Sequence, residues 1–275
     1  MAAIVRKRNL TPITSLFEVG APLIARNALP GQFVMIRVNE TGERIPVTIT
    51  DSSRSSGTVT VVVQEVGKTT RLLRALAEGD EILDFVGPLG CPVELPHKGH
   101  VALIGGGFGT GAILTLAKEL TRRGVEVSSI VGARNRSLII LAEEVGAFSS
   151  HLYVCTDDGS EGYRGFVTGQ LEELVKQGVH VDEVFAIGPV AMMRSLADAT
   201  LRHHIKTQVS MDPIMVDGTG MCGACRLTVD GQLKFACVDG PFFDAHKVNF
   251  AEAVVRSKTY VEEERFAMAA AATGG

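Results

Sequence analysis

The chain has 275 residues, of which 45% are hydrophobic, and this is enough for two domains with their own cores. The formal net charge of −4 argues against a broad nucleic-acid-binding face. No run approaches the ~20 consecutive apolar residues of a membrane span. The first residues lack an apolar run after their charges, so no signal peptide is expected. Three of the five cysteines lie between 222 and 237, which predicts a cytoplasmic protein with a metal site rather than disulfides.

Residues 1–97 are predicted to form a small antiparallel β-barrel, because they contain several short strands and few helices. β-branched runs bounded by Gly, Pro and Ser predict strands at 32–38, 57–66 and 81–86. Apolar residues at helical spacing predict one helix at 68–77.

Two short stretches of this barrel carry groups that a flavin requires. Arg44 and Thr48 place a cation and a hydroxyl on one strand, although taken by itself the pair is better explained by a strand with a salt bridge. Gly67 to Thr70 begins the predicted helix. Its free N–H groups and hydroxyls could hold a phosphate, or Thr69 could simply cap the helix.

Residues 98–205 are predicted to form a doubly wound parallel sheet, because strands and helices alternate there. The predicted strands are 101–104, 125–131, 151–155 and 183–187. The predicted helices run from the glycine-rich segment 105–111 to about 123, and over 138–145, 169–176 and 190–203.

The glycine-rich segment follows a strand and opens a helix, so its backbone N–H groups and the helix dipole can meet a pyrophosphate. The residues concerned are Gly105, Gly106, Gly107, Gly109 and Thr110. A structural tight turn is the alternative. The segment is not a clean G-x-G-x-x-G, and no acidic residue closes the second strand. Arg134 and Arg136 could meet a 2′-phosphate or be solvated loop charges, so the choice between NAD and NADP stays open.

Two further loops lie at predicted strand ends, where open α/β sheets bind ligands. One contains Asp157 and Asp158, and the other contains Gly188, Pro189 and Met192. Each alone is typical of an ordinary turn. Together with the glycine-rich segment they outline one crevice.

The segment 206–249 contains the most specific pattern in the chain. Cys222, Cys225 and Cys237 occupy the last three positions of the plant-type C-x4-C-x2-C…C iron–sulfur pattern, and Asp217 occupies the first. A structural zinc site would accept the same donors, and Asp217-Gly218 is also a common turn. The remaining residues, 250–275, are predicted to form a helical tail.

The other two cysteines are given no part in the chemistry. Cys155 ends a predicted strand and is interpreted as a buried small hydrophobe. Cys91 lies at the domain junction and could face a nicotinamide.

Taken in order, these motifs resemble the ferredoxin–NADP reductase superfamily, and within it the branch that includes the electron-transfer subunit of dihydroorotate dehydrogenase B. The resemblance covers about residues 4–250. Its most specific stretches are 43–49, 156–160 with 165–168, and 215–240.

This resemblance implies a β plus α/β fold: an FAD-binding barrel, an NAD(P)-binding α/β domain and a 2Fe-2S segment that faces a larger flavin and iron–sulfur partner subunit. It implies no catalytic side chain beyond the cofactors. The FAD site it implies consists of Arg44, Pro46, Val47, Thr48, Gln64, Val66, Gly67, Thr69 and Thr70. The NAD(H) site consists of Gly105, Gly106, Gly107, Gly109, Thr110, Asp157, Asp158, Gly188, Pro189 and Met192. The cluster ligands are Asp217, Cys222, Cys225 and Cys237.

The chain departs from the family pattern at two places. The usual R-x-Y-S flavin motif lacks its aromatic residue, and Arg44 stands one place early relative to Thr48. The first cluster ligand is Cys in the dihydroorotate branch, so Asp217 favours the branch of NADH-dependent ferredoxin:NADP oxidoreductases, in which an Asp ligand is expected.

The predicted function is to convert the electron pair of NADH into single electrons and pass them to the partner, which bifurcates electrons in the ferredoxin:NADP branch. Ferredoxin would be reached through the partner. Two alternatives remain. The chain could serve another complex, such as a dihydroorotate dehydrogenase or a hydrogenase, or it could be a zinc-stabilised nucleotide-binding assembly subunit without redox activity.

Overall fold

The computed structural model describes residues 1–273. Its N-terminal part is one sheet of seven antiparallel strands in the order β6-β1-β2-β5-β4-β3-β7. These strands are β1 Ala2–Thr11, β2 Thr14–Gly20, β3 Phe33–Arg37, β4 Ile45–Ser53, β5 Thr58–Gln64, β6 Glu81–Ile82 and β7 Asp84–Leu89. Because β6 and β7 are consecutive in the chain but lie at opposite edges, the sheet curls into a nearly closed barrel. Two short helices accompany it, α1 Pro22–Asn27 and α2 Lys68–Ala75.

The second part is a parallel sheet in the order β11-β10-β9-β8-β12-β13-β16, in which only the edge strand β16 is antiparallel. Its strands, with the hairpin β14–β15 that leaves it, are β8 His100–Gly106, β9 Glu126–Ala133, β10 His151–Thr156, β11 Tyr163–Arg164, β12 Glu183–Ile187, β13 Lys206–Ser210, β14 Arg226–Val229, β15 Gln232–Phe235 and β16 Phe242–Asp244. The connecting helices are α3 Gly109–Arg122, α4 Ala142–Gly146, α5 Val167–Lys176 and α6 Val190–Arg202.

The strand order reverses between β8 and β12, since β9 and β10 extend the sheet on one side of β8 and β12 and β13 on the other. In such sheets ligands bind outside the carboxyl ends of the strands at this switch point. Here the switch point carries the glycine-rich segment after β8 and the loop Gly188-Pro189 after β12.

The predicted cluster segment does not stand apart from this sheet. β13 and β16 both lie within 206–249 and pair with each other, and β13 also pairs with β12. The predicted division at 205/206 therefore falls at the start of the sheet strand β13. The chain leaves the sheet only after Ser210, forms the cysteine loop over residues 211–241, and returns to the sheet at Phe242.

The tail predicted for 250–275 contains two helices, and its residues 274 and 275 lie outside the described residues. After the short helix α7 Ala236–Asp239 come α8 Phe250–Arg256 and α9 Val261–Thr273. Short 3-10 helices lie at Arg136–Leu138 and Ala245–Lys247. Among residues 1–273, none of the helices combines the length and apolar character that crossing a membrane requires.

The hydrophobic cores show how the two parts are joined. Val34 and Ile36 of β3 point into the barrel core. The alternate residues Phe33 and Met35 point outward and belong to the core on one face of the parallel sheet. That core also contains Cys225 and Cys237. The outer face of β3 therefore connects the barrel to the cysteine segment.

Candidate functional site

The barrel strand β4 presents its candidate flavin residues on one face. Pro46 lies opposite Met35 and Thr48 opposite Phe33 in the antiparallel pairing with β3, so these side chains share the outward face. Val47 lies between them and packs against the barrel core. Arg44, Pro46 and Thr48 therefore lie along the outward face of the barrel wall. The Val47 side chain points into the barrel, so only its backbone can contact a ligand on the outward face.

Arg44 stands at the rim of this face, and 48% of its side chain is exposed. Its Nη2 lies 3.8 Å from Asp84 Oδ2, and the same carboxylate oxygen accepts a hydrogen bond of 2.6 Å from Arg37 Nε. The hydrogen bond from Arg37 is the main reason that the pKa of Asp84 lies below its usual value. Because Asp84 is committed to Arg37, the Arg44 guanidinium keeps donors for an anionic ligand.

Two threonine hydroxyls at the start of α2 make different hydrogen bonds. The Thr70 hydroxyl accepts hydrogen bonds from the backbone N–H groups of Val66 at 2.9 Å and Gly67 at 3.0 Å. Thr69 is buried and donates to Glu43 Oε2 at 3.2 Å. The N-cap residue is therefore Gly67, and Thr70 at position N3 bonds back to its N–H, whereas Thr69 takes no part in capping. Both hydroxyls already have partners in the folded chain. Gln64 ends β5 beside them, and Val66 is exposed.

In the glycine-rich segment, close packing explains three of the glycines. A β-carbon at Gly105 would lie 2.8 Å from Thr110 Cα, and one at Gly109 would lie 2.1 Å from the carbonyl oxygen of Ile187. A β-carbon at Gly106 would lie 2.5 Å from the Met192 sulfur. The contacts at Gly106 and Gly109 pack the segment closely against the end of β12 and the residues that follow it. The two sides of the crevice are therefore in direct contact.

Two features of this segment fit a bound nucleotide. Gly107 has a φ of +56°, and none of the described atoms beyond its chain neighbours comes within 4 Å of an added β-carbon. The Thr110 hydroxyl is fully buried and has no hydrogen-bond partner among the residues that the structure describes. An unpaired buried hydroxyl costs free energy unless a ligand satisfies it.

Helix α3, which begins in the glycine-rich segment, contacts the middle of β4. The Thr115 hydroxyl donates to the carbonyl oxygen of Ile49 at 3.1 Å and also contacts that of Thr50. One turn further, Lys118 Nζ lies 2.5 Å from Asp51 Oδ2. Since Ile49 directly follows Thr48, the candidate nucleotide loop and the candidate flavin strand adjoin.

The acidic loop after β10 is exposed and turns tightly. Asp158 Oδ1 accepts a hydrogen bond of 2.9 Å from the Ser160 N–H, and the hydrogen bonding by Ser160 holds the pKa of Asp158 below its usual value. The Asp157 N–H donates to the carbonyl oxygen of Ala133. Arg136 lies 3.3 Å from Glu161 and is largely exposed. The loop has the turn structure that the sequence left as one alternative, and it stands at the rim of the crevice.

The cysteine segment gathers its donors in one loop. Cys225 Sγ and Cys237 Sγ are buried and 3.2 Å apart, and the Cys237 N–H points at Cys225 Sγ at 3.5 Å. Cys222 is exposed and its Sγ faces the Ala224 N–H at 3.5 Å. Burial is the main reason that the pKa of the Cys237 thiol rises to about 12.

Asp217 closes the same loop through its carboxylate. Oδ1 accepts from the Thr219 N–H at 2.7 Å and Oδ2 from the Cys222 N–H at 2.8 Å. Within residues 1–273, no three Cys, His, Asp or Glu side chains already converge in a site for a single metal ion. The donor set of three thiols and a carboxylate, with N–H groups aimed at sulfur, nevertheless fits an iron–sulfur cluster. The turn role of Asp217 is present, and its role as a ligand remains a prediction.

Sequence patterns gave no sign of the contact between this loop and the barrel. A β-carbon at Gly218 would lie 2.7 Å from Met35 Cγ and 3.0 Å from Leu89 Cδ1. Met35 was an ordinary strand hydrophobe in the sequence. Only its outward position on β3, next to Pro46 on β4, distinguishes it, and that needs the strand register.

The remaining two cysteines differ in burial. Cys155 is buried, and burial raises its pKa to about 12, as its interpretation as a small hydrophobe requires. Cys91 is exposed, and its Sγ donates to the carbonyl oxygen of Val238 at 3.0 Å. Its N–H donates to the carbonyl oxygen of Gly240 at 2.7 Å. Cys91 thus contacts the cysteine segment.

Comparison with known proteins identifies the family. Residues 212–249 match the iron-sulfur cluster binding domain of dihydroorotate dehydrogenase B. The chain is 43% identical over 262 residues to a dihydroorotate dehydrogenase B (NAD(+)) electron transfer subunit homolog of Thermotoga maritima, covering 95% of this chain and 92% of that protein. The chain belongs to the family of dihydroorotate dehydrogenase B electron-transfer subunits and their homologues. The subunit from Geobacillus thermodenitrificans is 34% identical, covering 89% of this chain and 96% of that protein.

A solved structure of NADH-dependent reduced ferredoxin-NADP oxidoreductase, described for flavin-based electron bifurcation, contains a similar chain. The two chains superpose with a TM-score of 0.92 and are 41% identical, covering 97% of this chain and 96% of that one. The family confirms the resemblance, the β plus α/β fold class and the predicted cofactor set of FAD, 2Fe-2S and NAD(H). The chain is an electron-transfer protein of the oxidoreductase class.

Proposed function

We propose that this chain oxidises NADH and delivers the electrons singly to a larger partner subunit. The observation that carries the proposal is the position of β4 between two loops. In the middle of β4, the carbonyl oxygen of Ile49 accepts a hydrogen bond from Thr115 of helix α3. Across β3, Pro46 faces Met35, which contacts the cysteine loop at Gly218. A flavin on this strand would adjoin both its electron donor and its electron acceptor.

The residues of the chain provide the binding and the orientation. Arg44 would hold the flavin pyrophosphate through its guanidinium, and Thr48 would offer its hydroxyl to the flavin ring. Thr110 offers the unpaired hydroxyl to the nicotinamide nucleotide, and Met192 and Pro46 line the crevice with apolar surface that excludes water. When bound, the flavin and the cluster supply the conversion of an electron pair into single electrons.

The proposed cluster ligands are Asp217, Cys222, Cys225 and Cys237. The match of residues 212–249 to an iron–sulfur domain supports iron over structural zinc. A carboxylate is a harder donor than a thiolate, so a cluster with Asp217 as ligand would differ in potential from an all-cysteine cluster.

The surface around the cysteine loop supports a protein acceptor. Val216, Met221 and Val238 are exposed by 51%, 89% and 42%, respectively, beside the ligand positions. Exposed apolar side chains beside the ligand positions support a site of protein association there. We propose that the partner is a larger flavin and iron–sulfur subunit.

We further propose that the complex is an electron-bifurcating NADH-dependent ferredoxin:NADP oxidoreductase, with ferredoxin reached through the partner. The 41% identity to a chain of such an oxidoreductase, against 34% to the dihydroorotate dehydrogenase B subunit of Geobacillus thermodenitrificans, and the Asp at position 217 support this choice. Co-purification from the native host tests it, since the partner's own cofactors and substrate distinguish the two complexes.

The experiment that tests the proposed function is an anaerobic visible spectrum of the purified chain, with iron and zinc analysis, before and after adding NADH or NADPH. Flavin and cluster bands that bleach with NADH, together with cluster iron, support the proposal. The response to NADPH shows which nicotinamide nucleotide is preferred. A colourless protein that holds zinc would overturn the redox function and leave a nucleotide-binding assembly subunit.

A further inference from the structure

Met35 has an unusual place for a buried residue of a barrel strand. Only 2% of its surface is exposed, yet it lies outside the barrel core. It belongs instead to the core that contains Met215, Cys225 and Cys237. Its strand therefore contributes it to the packing beneath the cysteine loop.

The same side chain adjoins the candidate flavin strand. Met35 and Pro46 are directly paired across β3 and β4 and point to the same face. Paired residues in antiparallel strands have β-carbons about 4.5–5.5 Å apart. Met35 is thus a direct neighbour of the residue that the family pattern places against the flavin ring.

On its other side Met35 contacts the loop that carries Asp217. Gly218 has a φ of +78°, and a β-carbon there would lie 2.7 Å from Met35 Cγ and 3.3 Å from its sulfur. The same β-carbon would lie 3.0 Å from Leu89 Cδ1 of β7, so Leu89 and Met35 together pack against Gly218. The backbone at Gly218 therefore rests directly on the thioether side chain, and no larger residue fits between them.

We propose that Met35 is a positioning residue that sets the distance between β4, the candidate flavin strand, and the cysteine loop. The inference rests on the proposed function, in which one electron at a time would pass from reduced FAD to the cluster, reduce one of its ferric ions to ferrous iron, and move on to the partner subunit before the second electron follows. NADH supplies the electron pair, and Met35 is neither oxidised nor reduced. Its part is to hold Gly218, and with it Asp217, at a fixed distance from Pro46.

A purely structural role would have a different signature. If Met35 only filled space in the core, shortening it would lower stability in the same way as shortening any other buried residue of that core. Leu174 of α5 provides the comparison, because it belongs to the same core, is 3% exposed and lies on a helix that packs mainly against α6, β9 and β10.

The experiment compares Met35→Ala, Met35→Leu and Leu174→Ala with the wild-type chain carrying its cofactors. Stopped-flow absorbance follows flavin reduction by NADH, and rapid-freeze EPR follows cluster reduction. Because a misplacement of 1 Å can slow a reaction about 100-fold, we expect cluster reduction in Met35→Ala to slow at least about tenfold. Flavin reduction should keep its wild-type rate. Met35→Leu preserves side-chain volume and should stay near wild type.

A second readout needs no cofactor. Hydrogen exchange of the Thr219 and Cys222 amides, which Asp217 holds, should be faster in Met35→Ala than in the wild type and unchanged in Leu174→Ala. Equal effects of the two alanine variants on exchange and on cluster reduction would overturn the positioning role. A wild-type chain that shows no NADH-dependent bleaching contradicts the proposed function instead, and the exchange result then still decides whether Met35 holds the loop.

Discussion

Gly106 and Met192 are in contact where the parallel sheet reverses its strand order. A β-carbon at Gly106 would lie 2.5 Å from the Met192 sulfur and 3.3 Å from Pro189 Cδ. Gly106 at the end of β8 and Met192 in the helix after β12 therefore approach each other more closely than any side chain at position 106 permits. This approach shapes the floor of the crevice in which we propose that NADH binds.

Gly106→Ala should destabilise the chain by about 1–3 kcal/mol, because the added methyl group displaces Met192. The double variant Gly106→Ala/Met192→Ala should recover part of this loss, since the displaced atom is at the end of a flexible side chain. Thermal unfolding measures both. Gly109→Ala serves as the contrast, because its β-carbon would lie 2.1 Å from the backbone oxygen of Ile187 and no side-chain truncation relieves it. Equal losses in the single and double Gly106 variants would contradict the contact.

Thr110→Val tests whether the unpaired hydroxyl serves a ligand. It removes no hydrogen bond from the unliganded chain, so the free energy of unfolding should stay unchanged or rise. The affinity for NADH should fall by about two- to tenfold, as expected for one lost hydrogen bond. Calorimetric titration with NADH and thermal unfolding without it give the two values.

Thr200→Val is the matched control for this variant. Thr200 is equally buried, but its hydroxyl donates to the carbonyl oxygen of Leu196 at 2.9 Å and lies 3.1 Å from His246 Nε2. It should lose about 1 kcal/mol of stability and keep its NADH affinity. The reverse pattern, with Thr110→Val less stable and unchanged in affinity, would assign the Thr110 hydroxyl to the fold.

Asp217 can be separated into its two roles by substitution. Asp217→Asn keeps one acceptor oxygen, for the Thr219 N–H, and puts an NH2 group in place of the oxygen that accepts from the Cys222 N–H. It also removes the anionic donor, so the chain should lose iron. Asp217→Cys restores the all-cysteine pattern and should keep the cluster with a changed reduction potential. Iron analysis and EPR redox titration measure these outcomes. A full iron content with an unaltered spectrum in Asp217→Asn would show that the residue only shapes the turn.

Glu119 predicts a defined pH dependence of stability. Hydrogen bonds, first that from Arg122 and then that from Arg123, outweigh desolvation and lower the pKa of the Glu119 carboxyl from 4.5 to about 2. Since the folded state holds the proton less tightly, this stabilisation is complete above about pH 4.5 and is lost as pH falls toward 2. Arg123 Nη1 also donates to the carbonyl oxygen of Leu95 at 2.6 Å, so the pair anchors α3 to the segment that joins barrel and sheet.

Glu119→Gln should lower the free energy of urea unfolding by about 1–2 kcal/mol at pH 7, with the difference from wild type shrinking as pH falls below 4.5. Glu173→Gln, whose carboxylate accepts only from Gln177 among the described side chains, should show no such trend. A difference that stays constant from pH 7 to pH 3 would contradict the ion-pair explanation.

Local sequence patterns predicted much of the fold. The strand, glycine-rich segment and helix at 101–123 and the alternating elements that follow correspond to β8, α3 and their successors because each is coded by its own periodicity and turn residues. The spacing of Cys222, Cys225 and Cys237 likewise located the cysteine segment, since its signal is contained in a short loop.

Local sequence patterns did not predict helix starts, strand register or contacts between distant segments. That Thr70 rather than Thr69 bonds back to the N-cap residue Gly67 depends on where α2 begins, which sequence patterns leave uncertain by a residue or more. That Val47 points inward and Met35 outward depends on strand register, and a one-residue shift exchanges the two faces. The contact of Gly218 with Met35 joins residues far apart in the chain, and no local pattern encodes it.

The central claim is that electrons pass from NADH through a flavin to the cluster within this one chain. The most direct test is an anaerobic titration of the isolated chain with NADH, in which flavin absorbance and the EPR signal of the reduced cluster are followed together. The account predicts that the flavin bleaches and that the reduced-cluster signal grows with each addition of NADH. Bleaching of the flavin with a cluster that stays oxidised under excess NADH would contradict it.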